Sequence, residues 1–222
     1  MFGVQRFGVI MQGNPDDPQE AWGVLNPAVA RGHDGELYLF PRIVAEHNYS
    51  RIGIAKVLFD GDVPVGVERL GYALEPRDSY ELNDRTGGGV EDARISFVEP
   101  LGRYVMTYTA YGPTGPRIAI AVSNDLFQWQ RLGLVKFLYD PQYNTDFDLY
   151  PNKDALIFPV AVQDPLGRPA IAMLHRPSYE LWRPHQPHLT LVPHGVSEAR
   201  PSMWISYVPL EQVQQDLRAL TV

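Results

Sequence analysis

The sequence predicts an all-β fold, and three observations carry that prediction. The 222 residues include 19 glycines and 20 prolines, spaced so that few windows could hold a long helix. Between them lie short runs rich in β-branched and aromatic residues, a composition that suits a pleated, half-buried surface. The same strand plan then recurs along the chain, which points to a repeated unit.

Taken in order, the strand runs cover residues 36–40, 52–57, 104–109, 117–122, 155–158 and 170–174. Turn signals precede three of them: Asp34-Gly35, Leu101-Gly102 and Leu166-Gly167, where glycine supplies the positive φ that a tight turn needs. Only the tail reads as a helix, within residues 210–222. Its apolar residues Leu210, Val213, Leu217 and Leu220 fall at three- and four-residue intervals, the spacing of one helical face.

Composition narrows the function classes. The formal charge of -7 and a pI near 5.3 disfavour a nucleic-acid backbone or an anionic membrane as the main partner. Cysteine is absent, so there is neither a disulfide framework nor a thiolate metal site. The start of the chain lacks the apolar core of a signal peptide, and no apolar run approaches membrane-spanning length, so a cytoplasmic enzyme is expected. Of the six histidines, only His185 and His188 are closely spaced, and Pro187 between them makes a helical ligand pair implausible. No metal and no cofactor are expected.

Three segments share a plan of polar signature, strand, glycine turn, strand, loop and strand. Their signatures begin at Asn26, Glu91 and Lys153. A meander recurring at roughly 60–65 residues suggests β-propeller blades, longer than the ~40–50 residues typical of such repeats. Because successive strands alternate direction, Asn26, Asp92 and Lys153 should ring one end of a channel. Arg42, Tyr111, Arg117, His175 and Arg176 should lie above them on the loops between second and third strands. One Asn, one carboxylate and several cations around a pit suit a polyhydroxyl ligand together with an anion.

The most pointed motif is Gly87-Gly88-Gly89-Val90-Glu91-Asp92-Ala93-Arg94. Glycines let backbone approach a neighbour closely, and a carboxyl beside a guanidinium can be held in one orientation. In a regular strand Asp92 and Arg94 would share one face and Glu91 the other. Glu91 would then raise the Asp92 pKa by repulsion, and Arg94 would lower it if close. The plainer alternative is a glycine loop feeding a solvated strand.

These elements resemble glycoside hydrolase family 130. The resemblance is carried by Asn26-Pro27-Ala28, the stretch from Arg42 to Ser50-Arg51-Ile52-Gly53, and Val90-Glu91-Asp92-Ala93-Arg94-Ile95. Further support comes from Tyr108-Thr109-Ala110-Tyr111, Ser123-Asn124-Asp125-Leu126-Phe127, Asn152-Lys153-Asp154-Ala155 and His175-Arg176-Pro177. The family comprises β-mannoside phosphorylases and related β-mannosidases built as five-bladed β-propellers, of which this chain would hold about three and a half blades in one incomplete domain over residues 1–222. The resemblance implies an inverting reaction on a β-mannoside oligosaccharide with inorganic phosphate as co-substrate. Asp92 would be the general acid, relayed through the 3-hydroxyl of the -1 mannose. Asn26 and Arg42 would hold that mannose, and Lys153, His175 and Arg176 the phosphate. Arg117 is a further phosphate or sugar candidate on geometric grounds, and Tyr111 a sugar platform.

The chain departs from the family in being short. Residues 198–206 resemble the start of a further blade, while the family's later Tyr-His-Gly and Tyr-Gly-x-x-Asp elements have no counterpart. An unfinished ring would leave an open edge, which self-association could cover. A hydrolase of the same family, with Asp146 or Asp148 as base, and a non-catalytic carbohydrate-binding fragment are the alternatives.

Overall fold

A computed structural model of the protein describes residues 3–83, 87–181 and 189–221. The first unit is an antiparallel meander of β1 (Gly23–Arg31), β2 (Leu37–Ala45), β3 (Tyr49–Asp60) and β4 (Val63–Leu74). The second repeats it with β5 (Gly88–Val98), β6 (Arg103–Gly112), β7 (Gly115–Ser123) and β8 (Gln130–Leu134). Together they make one eight-stranded sheet. The joint between the two units is narrow: β3 and β5 run parallel and pair only at Tyr49–Gly88 and Ser50–Gly89.

The third unit contains β9 (Asn152–Ile157), β10 (Val162–Gln163) and β11 (Pro169–Pro177). A small two-stranded sheet follows, formed by β12 (Glu180–Leu181) and β13 (Leu189–Thr190). The last strand, β14 (Trp204–Pro209), pairs with β11 on the side away from β9 and β10. The residues expected to open a further unit therefore finish the third one. Their register (Ala172–Tyr207, Leu174–Ile205) satisfies the backbone of β11, which would otherwise be an edge.

Period-two alternation in the central strands explains how the units stack. On β6 and β7, Met106, Tyr108, Ala110, Ala119 and Ala121 face Phe40, Ile52, Ile54 and Val90, forming the core between the first and second units. The opposite faces of the same strands carry Val105, Ile118, Ile120 and Val122 toward Ala155, Ile157, Ile171 and Met173 of the third. Ser96 and Thr107 donate across this second seam to the carbonyls of Ile157 (2.7 Å) and Ala155 (2.5 Å). With both faces covered, β6 is buried along almost its whole length and β7 from Ile118 onward.

The tail departs from the continuous helix expected. It forms α1 (Leu210–Gln215), breaks at Asp216 in an extended conformation, and resumes as a 3₁₀ turn over Leu217–Thr221. The break lets Val213 and Leu220 both reach the second core, while the Asp216 carboxylate accepts the Arg218 amide (2.9 Å). Among the described residues no helix is long and apolar enough to cross a membrane.

Candidate functional site

Each unit interrupts one strand in the same way. Pairing slips between Leu25 and Ala28 on β1, between Glu91 and Arg94 on β5, and beside Arg176 where β11 meets β9. At each slip one residue adopts positive φ: Asn26 at 44°, Asp92 at 50° and Asp154 at 56°. Asn and Asp tolerate this left-handed conformation better than other side chains, and such bulges re-aim a side chain out of the strand's alternation.

The bulge at Asp92 corrects the expectation that Glu91 and Asp92 face opposite ways. Both carboxylates meet the Arg42 guanidinium, Glu91 at 2.8 Å and Asp92 at 3.6 Å. Arg42 is itself held by the Ser50 hydroxyl (2.9 Å) and the Asn48 side-chain amide oxygen (2.9 Å). Asn26 donates to the Asp92 carboxylate at 3.0 Å, although the two residues are 66 positions apart. Arg94 does not reach that carboxylate. Its guanidinium turns back to the carbonyls of Asp92 and Ala93, each at 3.0 Å.

The cluster is closely confined. The side chains of Arg42, Glu91 and Asp92 are 11%, 10% and 11% exposed. Burial pushes the Glu91 carboxyl above its ordinary range; Arg42 opposes that shift, Asp92 adds to it, and Lys153 opposes it. Lys153 of the third unit therefore acts electrostatically on Glu91 of the second. Two carboxyls confront one guanidinium, and the Asp92 charge adds to the burial that disfavours ionisation of Glu91.

The glycines make this approach possible. A Cβ on Gly89 would come within 2.3 Å of the Ser50 carbonyl oxygen, and one on Gly88 within 2.3 Å of that of Tyr111. Tyr111, partly buried near the end of β6, pairs with Gly89, which precedes Asp92 by three residues on β5.

The remaining expected residues are placed differently. Arg42, Tyr111, Arg117, His175 and Arg176 all sit within strands rather than on loops above them. Arg176 lies directly across from Lys153 in the sheet, but its guanidinium is paired with the Asp154 carboxylate. Arg117 is engaged by Asp148, through the backbone carbonyl at 2.5 Å and the carboxylate at 3.5 Å.

His175 is the clearest correction. It is fully buried, bonded to Asn152 (3.0 Å) and Ser206 (3.0 Å), with the Phe137 and Phe147 rings 4.7 and 5.3 Å away. Burial pulls its pKa down to about 4, so it is neutral at pH 7 and unsuited to binding an anion by charge. Its neighbour Arg176 takes the opposite face of β11, as alternation requires.

Sequence reasoning missed the roles of Glu91, Ser50, Asn48 and Asp154. Asn48 follows His47 in a short turn where both have positive φ (61° and 60°), and the polar run His47-Asn48-Tyr49-Ser50 was the available signal. Asp146 and Asp148 serve local structure: Asp146 caps a 3₁₀ turn by accepting the Asp148 amide (2.9 Å), and Asp148 holds Arg117. No group of three or more possible metal ligands occurs among the described residues, and His185 and His188 lie outside them. A cavity of about 660 Å³ is bounded by Phe137, Tyr143, Met173, Trp204 and Leu220, and none of Asn26, Arg42, Asp92 or Lys153 borders it.

The fold and the cluster together define a protein of repeated antiparallel strand units with a guanidinium-bound carboxylate pair where those units meet. Comparison with known proteins gives the family. The chain belongs to Glyco_hydro_130, described as beta-1,4-mannooligosaccharide phosphorylase, which it matches over residues 5–182. The 1,2-beta-oligomannan phosphorylase of Thermoanaerobacter sp. (strain X514) is 30% identical over 158 residues, covering 60% of this chain and 47% of that protein. The chain thus spans about half the length of this curated relative. The structure of beta-1,2-mannobiose phosphorylase from Listeria innocua, in complex with beta-1,2-mannobiose, superposes with TM-score 0.54 at 20% identity, over 88% of this chain and 56% of that one. A glycosyl hydrolase from Bacteroides ovatus gives 0.55 at 21% identity, over 78% and 54%. At these identities the two solved structures share the fold.

Proposed function

We propose that the chain is part of a five-bladed propeller, its three strand units acting as blades of one domain, and that it acts as an inverting phosphorylase on β-mannosides. The observation that carries this reading is the convergence of Asn26 and Arg42, from the first unit, on the carboxyl of Asp92 in the second. Family membership supplies the substrate class.

In this reading Asp92 donates its proton to the glycosidic oxygen, through the 3-hydroxyl of the bound mannose, as the bond to the anomeric carbon breaks. A phosphate oxygen attacks that carbon from the opposite side, and the products are α-mannose 1-phosphate and the shortened sugar. Phosphate brings its own nucleophilic oxygen, so the site needs cations there rather than a carboxylate base. Lys153 and Arg176, side by side on the third unit, supply a point charge and a planar fork. Asn26 and Arg42 hold the mannose and orient Asp92, and Tyr111 offers a ring at the entrance.

Hydrolysis within the same family is the second reading. It is favoured by Arg176 being already neutralised by Asp154, which lowers the positive charge available to phosphate.

The test is incubation of the 222-residue chain with β-linked mannobioses, with and without inorganic phosphate, beside an Asp92→Asn control. Phosphate-dependent mannose 1-phosphate that disappears in the control supports the proposal. Free mannose formed equally without phosphate transfers the assignment to the hydrolase. A folded chain that binds the sugar but yields neither product refutes catalysis and leaves a carbohydrate-binding protein.

A further inference from the structure

We propose that Glu81 is a positioning residue: it clamps the strap of residues 75–83 over the joint between the first two units and so sets the alignment of Asn26 and Arg42 with Asp92. The functional consequence rests on the assignment of Asp92 as the acid.

The joint needs such a clamp. Its strand pairing amounts to Tyr49–Gly88 and Ser50–Gly89, yet both sides of the site hang from it. Ser50 orients the Arg42 guanidinium, and Asp92 follows Gly89 by three residues. A slip of the joint would move Arg42 and Asn26 together relative to Asp92.

The strap leaves β4 of the first unit and packs directly on this backbone. A Cβ on Gly89 would lie 3.0 Å from Pro76, one on Gly88 3.1 Å from Asn83, and one on Gly112 2.4 Å from the Tyr80 carbonyl oxygen. No side chain fits between strap and joint, so where the strap sits decides where the joint sits.

Glu81 determines where the strap sits. It is fully buried and accepts from both neighbouring segments. Within the strap, the amides of Arg77 (2.8 Å) and Asp78 (3.2 Å) donate to Oε2. From the second unit, the Tyr108 hydroxyl on β6 donates to Oε1 at 2.7 Å, and the Arg131 guanidinium on β8 donates to both oxygens, at 2.8 and 3.1 Å. Arg131 also donates to the Glu75 carbonyl (2.6 Å), fastening the strap's other end. Arg51 of the first unit reaches the Glu75 carboxylate (3.1 Å). A buried carboxylate with every donor in place is rigid, and loss of one partner leaves the others unsatisfied. None of these groups touches the Arg42–Glu91–Asp92 cluster, so Glu81 acts through the joint.

The experiment uses the full chain with two variants that approach the clamp from opposite sides: Glu81→Gln, which preserves side-chain size, and Arg131→Gln, which removes the guanidinium. Amide hydrogen exchange is followed over residues 48–51 and 88–94, with 170–174 in the third unit as internal reference. We expect at least tenfold faster exchange in the first two segments and none in the reference. Where the parent chain turns over, kcat/KM should fall about 10–100-fold, mostly in kcat, because a displacement near 1 Å costs about that much. Exchange that rises uniformly over all three segments, or in none, overturns the proposal and makes Glu81 an ordinary stabilising residue. A parent chain without turnover removes the functional assignment, and the exchange data then decide the clamp by themselves.

Discussion

At Asp92 and at Asp154 the chain makes the same local departure from a regular strand, with a bulge and one acidic residue at positive φ, yet the two carboxylates end in different surroundings. Asp154 is met by Arg176 from the neighbouring strand of its own sheet, a partly exposed pair with side chains 27% and 33% accessible. Asp92 is met by Asn26 and Arg42, both from a different strand unit, and must share Arg42 with the buried Glu91. The backbone device is repeated while its chemistry is set by which unit delivers the partner. Asp154 forms a partly exposed ion pair within its own unit, whereas Asp92 is held across the seam and shares its guanidinium with a second carboxyl.

The sharpest break of this comparison is at the carboxylates themselves. Asp92→Asn should reduce product formation on the order of 10³-fold with the fold intact, the loss expected for removing a general acid. Asp154→Asn should leave more than half of the turnover in the same assay. Equal losses at both positions would erase the distinction.

Removing the shared cation comes next. Arg42→Met leaves two confined carboxylates facing each other and should destabilise by about 3 kcal/mol in denaturant unfolding, in the range for breaking a buried pair by deleting one partner. Adding Glu91→Gln to it should recover part of that loss. A double variant as unstable as the sum of the singles would show that Glu91 and Arg42 are not coupled.

The third unit carries a pH signature opposite in direction to that of the buried Glu91 at the Asp92 seam, whose carboxyl is raised. His175 titrates near 6.5 when unfolded and at about 4 in the fold, because burial disfavours its charged form. The unfolded chain therefore binds the extra proton first. The stabilising effect of neutral His175 is complete above pH 6.5 and is lost as pH falls toward 4, at most about 3 kcal/mol. In His175→Gln that acid-side loss should shrink in unfolding curves measured between pH 7 and 4. An unchanged slope would show that other groups carry it.

The smallest effect is expected at the exposed pair. Asp154→Asn should change stability by less than about 1 kcal/mol, while releasing Arg176 should lower the KM for phosphate severalfold. An unchanged or raised phosphate KM would place Arg176 outside the nucleophile's path.

Much of this was legible in the chain and some was not. The strand runs, the glycine turns and the recurrence of the plan could be read directly, because period-two burial and turn chemistry are written in adjacent residues. The glycine run before Glu91-Asp92 correctly signalled a close backbone approach, since the Ser50 and Tyr111 carbonyls occupy the space a side chain would need. The faces of Glu91 and Asp92 were misread because alternation assumes a regular ladder, and the bulge between Glu91 and Arg94 breaks it. His175 was expected beside Arg176 on a loop, with the resemblance giving both a phosphate role, whereas both lie within one strand, where neighbours point opposite ways. The helical spacing of the tail likewise hid the break at Asp216.

Local chemistry was therefore specified by the chain alone: all-β architecture, repeated units, and a carboxylate pair behind a flexible glycine run. Each depends on residues within a few positions of one another, where propensity and sterics act. Tertiary structure decided which cation reaches which carboxylate, since Arg42 arrives from a separate unit and Arg176 from the next strand. It also decided that His175 is sealed and neutral, and that Glu81 holds the seam. Those outcomes turn on burial and on distances between segments tens of residues apart, which only the packing of one sheet against another can set.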